Sequence, residues 1–328
     1  MKRLLTGLKP TGDLTLGNFI GGIKPLIDFQ NDSDNEIFLF VADLHALTVH
    51  QDPELLRERV KKFVAMYIAC GVDPNKMVVY VQSENVYIPA ISWILECNTY
   101  YGEASRMIQF KEKSKGKENF SIGLLTYPIL MAADILYCDS DYVPVGIDQK
   151  QHVELARDIA MRFNKTYGET FKMPKAITPK VGTKIKDLKN PDKKMSKSED
   201  NPVGVISLFD TKEVIIKKIK GATTDSENRV YFDEQNKPGI SNLLNIASVM
   251  TGRSIDDLVS EFENAGYGTF KTYVAMVTAK KIGEIQSRYN ELLNSKEVDE
   301  ILNKGLDVSI NLAKEKYELV KEKVGLSD

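Results

Sequence analysis

Histidine, cysteine and tryptophan are scarce in this chain: three, three and one in 328 residues. Cys70, Cys97 and Cys138 are odd in number, far apart and without CxxC spacing. That excludes a disulfide framework or a cysteine-built metal cage, and it fits reduced thiols in the cytoplasm with no tightly bound metal. No apolar run reaches the length that spans a bilayer, and the first residues read as a strand rather than a signal peptide, so no membrane partner is expected. Excess charge of either sign is missing too. At a net −2, the molecule as a whole is not a basic nucleic-acid binder, and an RNA partner would have to be met by local patches. There are no repeats, no low-complexity tracts and no GxSxG-type nucleophile motif. Hydrophobic residues make up 42%, enough for a large core in two domains.

What the chain does have is lysine in a pattern. Lys194-Met195-Ser196-Lys197-Ser198 brackets a small polar residue with two ammonium groups, in a loop that also carries Lys184, Lys186, Lys189 and Lys193. Two such groups on one loop can close over a triphosphate and stabilise the charge that builds as pyrophosphate departs. The bland alternative is a solvated lysine-rich loop, and a second run (Lys111, Lys113, Lys115 and Lys117) is open to the same two readings. At the chain start, Arg3 to Gly7 reads as a short strand. Leu8 to Asn18 then turns into a helix with Phe19, Ile20, Ile23, Leu26 and Ile27 at helical spacing. Strand, turn and helix N-terminus is an arrangement whose backbone N–H groups favour phosphate. Gly17 leaves room for a flat ring to lie on backbone. Thr15 and Asn18 can donate hydrogen bonds to phosphate or ribose. On Thr15 to Asn18 alone, an ordinary helix start is the simpler reading.

Up to about residue 190, apolar runs alternate with helical patterns. Glu36–Asp43 is a buried parallel strand by its continuous apolarity, Met77–Gln82 another, and Tyr142–Gly146 the last, followed by a helix over 150–164. Asp52-Pro53 opens a helix that Gly71 ends. Alternation of this kind predicts an α/β fold with a parallel sheet. Beyond about residue 205 the strand signals fade, and 212–220, 240–251, 254–263, 269–292 and 306–324 read as helices.

One helical stretch carries a polar anomaly. In Gly123–Leu136, apolar throughout, Tyr127, Met131 and Asp134 are spaced i, i+4, i+7 and share a face. A carboxylate among leucines, isoleucines and alanines needs a partner if buried. An indole N–H, donor-only within an apolar body, is a group this face could bind. A paired structural aspartate is the alternative.

Taken together, these motifs resemble the bacterial tryptophanyl-tRNA synthetases of class I, over essentially the whole chain. The resemblance rests on Pro10-Thr11-Gly12 with Gly17-Asn18, Asp43-Leu44-His45-Ala46, Gln109 to Lys113, Leu124 to Pro128, Val143 to Gly146 with Asp148-Gln149, and Lys194 to Ser198. It implies a Rossmann-like catalytic domain over 1–190, the lysine loop with a helical anticodon-binding domain over 191–292, and a C-terminal helix over 293–328 returning to the catalytic domain. It further implies a homodimer that joins L-tryptophan to tRNA(Trp), with ATP and Mg²⁺ as substrate. By the same resemblance Asp134 would accept the indole N–H, with Tyr127, Met131, His45, Val143, Val145 and Gln149 around the amino acid. Lys9, Pro10, Thr11, Gly17, Asn18, Gly146, Ile147, Asp148 and Gln149 would hold ATP. Lys113 and Lys194 to Ser198, with Met195 and Ser196 between the lysines, would face its phosphates. Thr15, Asn18, Lys194 and Lys197 would be the catalytic groups. Two positions depart from the family pattern: Lys9 stands where glutamine is frequent, and Leu5 where an aromatic is frequent. The chain has no insertion large enough for a separate editing domain.

Overall fold

The computed structural model describes residues 2–10, 12–32, 34–116, 118–146, 149–177, 184–195 and 202–326. β1 (Lys2–Leu8) leads through a turn at Gly12, φ +66°, into α1 (Leu16–Asn18). The helix widens to a π-helical turn over Phe19–Ile23 and resumes as α2 (Lys24–Gln30). β2 (Asn35–Val41) follows, then α3 (Asp43–Ala46) and α4 (Pro53–Ala69). Asp52 caps α4 by accepting from the N–H groups of Glu54 and Leu55 at 3.0 and 2.9 Å, and Gly71 follows its end at φ +113°. After β3 (Met77–Val81) come α5 (Tyr87–Cys97), α6 (Tyr101–Ala104), α7 (Ile108–Ser114) and α8 (Ile122–Tyr137). β4 (Tyr142–Pro144), α9 (Lys150–Tyr167) and β5 (Lys175–Ile177) complete the α/β part. The rest is helical: α10 (Lys212–Lys220), α11 (Pro238–Thr251), α12 (Ile255–Phe262), α13 (Gly266–Leu293) and α14 (Glu297–Val324).

The five strands form one parallel sheet in the order β3-β2-β1-β4-β5. Continuous apolarity over Ile37–Val41 of β2 is explained by covering on both faces. Leu4, Ile37 and Leu39 join the core under α2 and α4, while Leu5, Phe38 and Phe40 alternate into the core under α5, α8 and α9. Each such side chain, fully buried, contributes about 1.5–3 kcal/mol. Leu8 pairs in register with Val41, and Val41 with Val81, so the strands end together at one edge. The strand order reverses between β1 and β4, and a crevice opens at that edge, where open α/β sheets bind ligands.

Three expectations need correction. The second strand stops at Val41 and not Asp43, because Ala42 leaves the extended region and Asp43 begins a helix. Tyr142–Gly146 narrows to β4 and is not the last strand; Lys-Ala-Ile of β5 is too short to show alternation. The final helix begins at Glu297, nine residues earlier than expected.

α14 lies against β3. A Cβ on Gly305 would sit 2.0 Å from the Val79 carbonyl oxygen, so only glycine permits this approach. Ser309 accepts from Asn85 Nδ2 at 2.7 Å, and its hydroxyl lies 3.0 Å from that of Tyr137. Lys316 donates to Asp139 and to the Thr170 carbonyl at 2.8 and 2.9 Å. Among the described residues, no helix is long and apolar enough to cross a membrane.

Candidate active site

At the strand ends a cavity of about 390 Å³ opens. β1 supplies Leu5, Thr6 and Gly7, with Lys9 just beyond; β2 supplies Phe40; β4 supplies Val143 and Pro144, with Val145, Gly146 and Gln149 following. α8 contributes Tyr127, Met131, Asp134 and Ile135, which the i, i+4, i+7 spacing puts on one face. All seven residues expected around the amino acid therefore line one pocket.

Asp134 is 0% exposed, and it has partners in the protein. Gln82, just past β3, bridges both carboxylate oxygens with its Nε2 at 2.8 and 2.9 Å. His45 Nε2 lies 2.9 Å from Oδ2. A carboxylate only accepts, so that nitrogen carries the hydrogen. Burial raises the Asp134 carboxyl above its ordinary value, while the bonds from His45 and Gln82 pull it back in part. His45 is itself positioned from below. Asp43, at the start of its short helix, accepts from the Ser83 N–H at 3.0 Å and from the Ser83 hydroxyl, which ties the β2 end to the β3 end. Thr48 donates to the His45 carbonyl at 2.8 Å. On the opposite wall Tyr127 OH lies 3.1 Å from His152 Nε2 of α9, and the Lys113 ammonium stands 5.1 Å above the Tyr127 ring.

Lys9 and Lys113 form a cationic rim. Partial withdrawal from water and then the neighbouring Lys113 hold the Lys9 ammonium below its ordinary value. Two like charges held together are a standing attraction for an anion. Lys9, which departs from the family pattern, thus falls on the pocket itself. Leu5, the other departure, is buried in the wall at 1% exposure, so no ring is present there to stack.

The helix-start residues are arranged otherwise. The Thr15 hydroxyl donates to Asn18 Oδ1 at 3.0 Å and accepts from Asn18 N at 3.2 Å, while Thr15 N also donates to Asn18 Oδ1 at 3.0 Å. This is a capping box, and it occupies the Thr15 donor that was expected to reach phosphate or ribose. Over Gly17 the space is not open. A Cβ there would lie 3.1 Å from the Met195 carbonyl, so a ring on Gly17 would have to share that surface with Met195. Met195 is 2% exposed and packs in the core, its N–H donating to the Ile185 carbonyl at 2.9 Å. Lys194 is exposed and pairs by backbone with Lys186, whose own backbone is clamped by the Asn242 amide at 2.8 and 3.0 Å. Lys189 donates to the Gly221 carbonyl at the end of α10, so this member of the lysine cluster has a structural partner. Pro10 is buried beside the rim. Thr11, Ile147, Asp148, Ser196, Lys197 and Ser198 lie outside the described residues.

Sequence reasoning missed Gln82, Phe40, Gly7 and Thr48. Gln82 carried a readable signal: a polar residue directly after the apolar strand Met77–Val81, at the strand end where ligands bind. Gly7 carried none. A Cβ there would lie 2.6 Å from the Phe40 ring, which only the structure reveals.

The family of class I tRNA synthetases (W and Y) matches residues 1–283. The chain belongs to that family. It is 46% identical over 327 residues to the tryptophan–tRNA ligase of Bacillus anthracis, covering 100% of this chain and 99% of that one. It is 48% identical over 327 residues to the tryptophan–tRNA ligase of Wolinella succinogenes, with 99% of each chain covered. Among solved structures, a tryptophanyl-tRNA synthetase from Campylobacter jejuni complexed with ADP and tryptophan superposes with a TM-score of 0.85 at 36% identity, covering 98% of this chain and 99% of that one. A tyrosyl-tRNA synthetase from Archaeoglobus fulgidus, at 22% identity and a TM-score of 0.66 over 88% of this chain and 90% of that one, shares the fold. The chain is thus an aminoacyl-tRNA ligase with a Rossmann-like parallel sheet and a helical C-terminal part.

Proposed function

We propose that this chain activates L-tryptophan with Mg-ATP and passes it to tRNA(Trp). One observation carries the amino acid assignment: a buried carboxylate, Asp134, at the wall of a pocket where Tyr127, Met131, Val143 and Val145 also stand. A donor-only indole N–H in a flat apolar body is complementary to that surface. Gln82 and His45 use three of the carboxylate's acceptor directions, and a carboxylate has about four. The high full-length similarity to tryptophan–tRNA ligases supports the same reading.

The chemistry then needs little from the protein beyond alignment and charge. The tryptophan carboxylate is ionised at neutral pH, so no general base is required. Its oxygen bonds to the α-phosphorus, the bond from that phosphorus to the bridging oxygen breaks, and pyrophosphate leaves with the electron pair. Lys9, Lys113, Lys194 and Lys197 are the cations for the charge that develops. Magnesium enters with ATP as substrate, held by phosphate oxygens. In the second step a terminal ribose hydroxyl of the RNA bonds to the acyl carbon. The acyl–phosphate bond breaks, and AMP leaves with the electron pair and takes the hydroxyl proton on a phosphate oxygen. A pocket that hydrogen-bonds its substrate rejects an analogue lacking the polar group by about 10⁴–10⁵, so no editing site is needed.

In this reading residues 1–190 hold the chemistry, 191–292 carry the lysine loop and meet the anticodon, and 293–328 buttress the sheet. The enzyme works in the cytoplasm as a homodimer. Exposed Trp93 (66%), Tyr100, Tyr101 and Ile122 supply the apolar surface such an assembly would cover. ATP–pyrophosphate exchange with each of the twenty amino acids tests the assignment: tryptophan should dominate, and equal or greater exchange with tyrosine would overturn it.

A further inference from the structure

The lysine loop has a stem, and one buried amide of the helical part holds it. Lys186 and Lys194 face each other across an antiparallel bridge. The bonds on either side of that bridge run from Asp187 N to the Lys193 carbonyl and from Met195 N to the Ile185 carbonyl, each at 2.9 Å. Lys186 and Lys194 are therefore a pair not bonded to each other, and the Lys186 N–H and C=O point away from Lys194. Both need partners from outside the pair. Asn242 of α11 meets both: its Oδ1 accepts from Lys186 N at 2.8 Å, and its Nδ2 donates to the Lys186 carbonyl at 3.0 Å. One side chain, 3% exposed, does what a third strand would do.

The turn above the stem is tied down as well. Asp187, 5% exposed, accepts from the N–H groups of Lys189 and Asn190 at 2.7 and 2.8 Å. Thr223, just past α10, donates its N–H to the Leu188 carbonyl at 2.8 Å and its hydroxyl to the Lys189 carbonyl at 2.9 Å. These bonds work against a repulsion, because like charges directly opposite each other on a ladder are destabilising. Met195, next after Lys194, has its carbonyl 3.1 Å from where a Gly17 Cβ would lie, which sets Lys194 beside the helix start expected to hold ATP.

We propose that Asn242 is a positioning residue for adenylate formation, fixing where Lys194 stands by clamping the backbone of Lys186 opposite it. The inference rests on the reading above, in which Lys194 faces the triphosphate. An ammonium on a flexible four-carbon stem is placed only as well as its backbone is. Asn242 does not line the amino acid pocket, so its effect runs through the stem.

Single-turnover adenylate formation in the parent, Asn242→Asp, Lys194→Ala and the double variant tests this, with tryptophan binding titrated on the same preparations. The aspartate keeps an acceptor for Lys186 N but turns a second acceptor onto the Lys186 carbonyl, so half of the clamp opens. A misplacement of ~1 Å costs about 10²-fold, so Asn242→Asp should slow formation roughly tenfold to a hundredfold while the tryptophan Kd stays within about twofold. With Lys194 already removed nothing is left to place, and the same change should slow the rate by less than about twofold. An equal factor in both backgrounds would make Asn242 part of the fold alone and overturn the proposal, as would an unchanged rate in Asn242→Asp or a lost affinity for tryptophan. If Asn242→Asp does not fold, Thr223→Val decides in its place. This exposed change removes the hydroxyl bond to Lys189 and should slow formation by a smaller factor that again disappears without Lys194; an unchanged rate would overturn the proposal. A Lys194→Ala enzyme as fast as the parent would leave no group to position and overturn it too. Absence of tryptophan-dependent exchange in the parent protein would instead refute the function proposed above.

Discussion

Asp134→Asn divides a residue that reads the substrate from one that holds the fold. The carboxylate is fully buried, accepts Gln82 Nε2 at 2.8 and 2.9 Å and lies 2.9 Å from His45 Nε2. Its pKa is nonetheless raised by burial, so these partners do not fully offset the cost of burying its charge. For an acid whose folded pKa is raised, the linkage has a definite sign. Below the ordinary Asp value both states are protonated and there is no penalty. Stability falls as pH rises through the folded pKa and stays reduced above it. At neutral pH, removing this charge should therefore cost little stability, and Asn Oδ1 can still accept from Gln82.

Function should respond differently. A hydrogen bond to a charged acceptor contributes about 1.5–3 kcal/mol, and 1.4 kcal/mol is tenfold. The kcat/KM for tryptophan in ATP–pyrophosphate exchange should fall roughly tenfold to a hundredfold or more. For phenylalanine, which has no indole N–H, the fall should be smaller. The assay is kcat/KM for both amino acids in both proteins, with urea unfolding alongside. An equal fall for both substrates, or a loss of several kcal/mol in stability, would refute the reasoning and make Asp134 a structural aspartate.

Three further outcomes are expected, the first from the lysine motif in the sequence and the other two from the geometry of the pocket. Lys197→Ala should slow single-turnover adenylate formation about 10²–10³-fold with little effect on tryptophan binding; a near-normal rate would leave the loop a solvated lysine run. Gln82→Met removes a donor that lowers the Asp134 pKa, so the acid limb of the pH profile of kcat/KM for tryptophan should move to higher pH; an unmoved limb would show that Asp134 does not govern it. Gly7→Ala drives a methyl to within 2.6 Å of the Phe40 ring, itself 4% exposed, and should raise the KM for tryptophan roughly tenfold by an overpacking cost of about 1–3 kcal/mol; the double change Gly7→Ala, Phe40→Leu should recover most of it, and an unaltered KM in the single variant would refute the crowding.

Much of the site was legible because its residues break a local pattern. Asp134 stands in an apolar helix, and its i, i+4, i+7 partners are fixed by helical geometry, so the shared face followed directly from the spacing. Strand ends were legible where apolar runs stop, while the placing of Val143, Val145 and Gly146 in the site came from the resemblance to the family. Other features had no local signal. The π-helical turn over Phe19–Ile23 leaves the 3.6-residue apolar spacing almost unchanged. The occupation of the space above Gly17 by Met195 depends on the distance between segments some 180 residues apart, which spacing within either segment could not encode. The bond of Thr15 to Asn18 is different, a local capping box whose spacing lies within one helix start.

The same limit explains why the C-terminal helix matters to a pocket it does not line. Gln82 follows β3 and Asp134 belongs to α8, and their bond needs those elements held at one separation. Tyr137, one turn beyond Asp134, donates to Tyr80 of β3 at 2.8 Å, while Ser309 of α14 lies within 3.0 Å of Tyr137 and accepts from Asn85 just past Gln82 at 2.7 Å. Burial raises both tyrosines well above their ordinary values, so these hydroxyls stay neutral and remain able to donate. Gly305 brings the α14 backbone close enough for Ser309 to reach, and Lys316 fixes the helix along its axis through Asp139. A buried hydroxyl left without its partner costs about 1–3 kcal/mol, so a slip of α14 is opposed by several such groups at once. The Asp134 carboxylate is therefore set in place by Gln82 and His45, while Tyr80, Tyr137, Asn85 and Ser309 hold the elements that carry it.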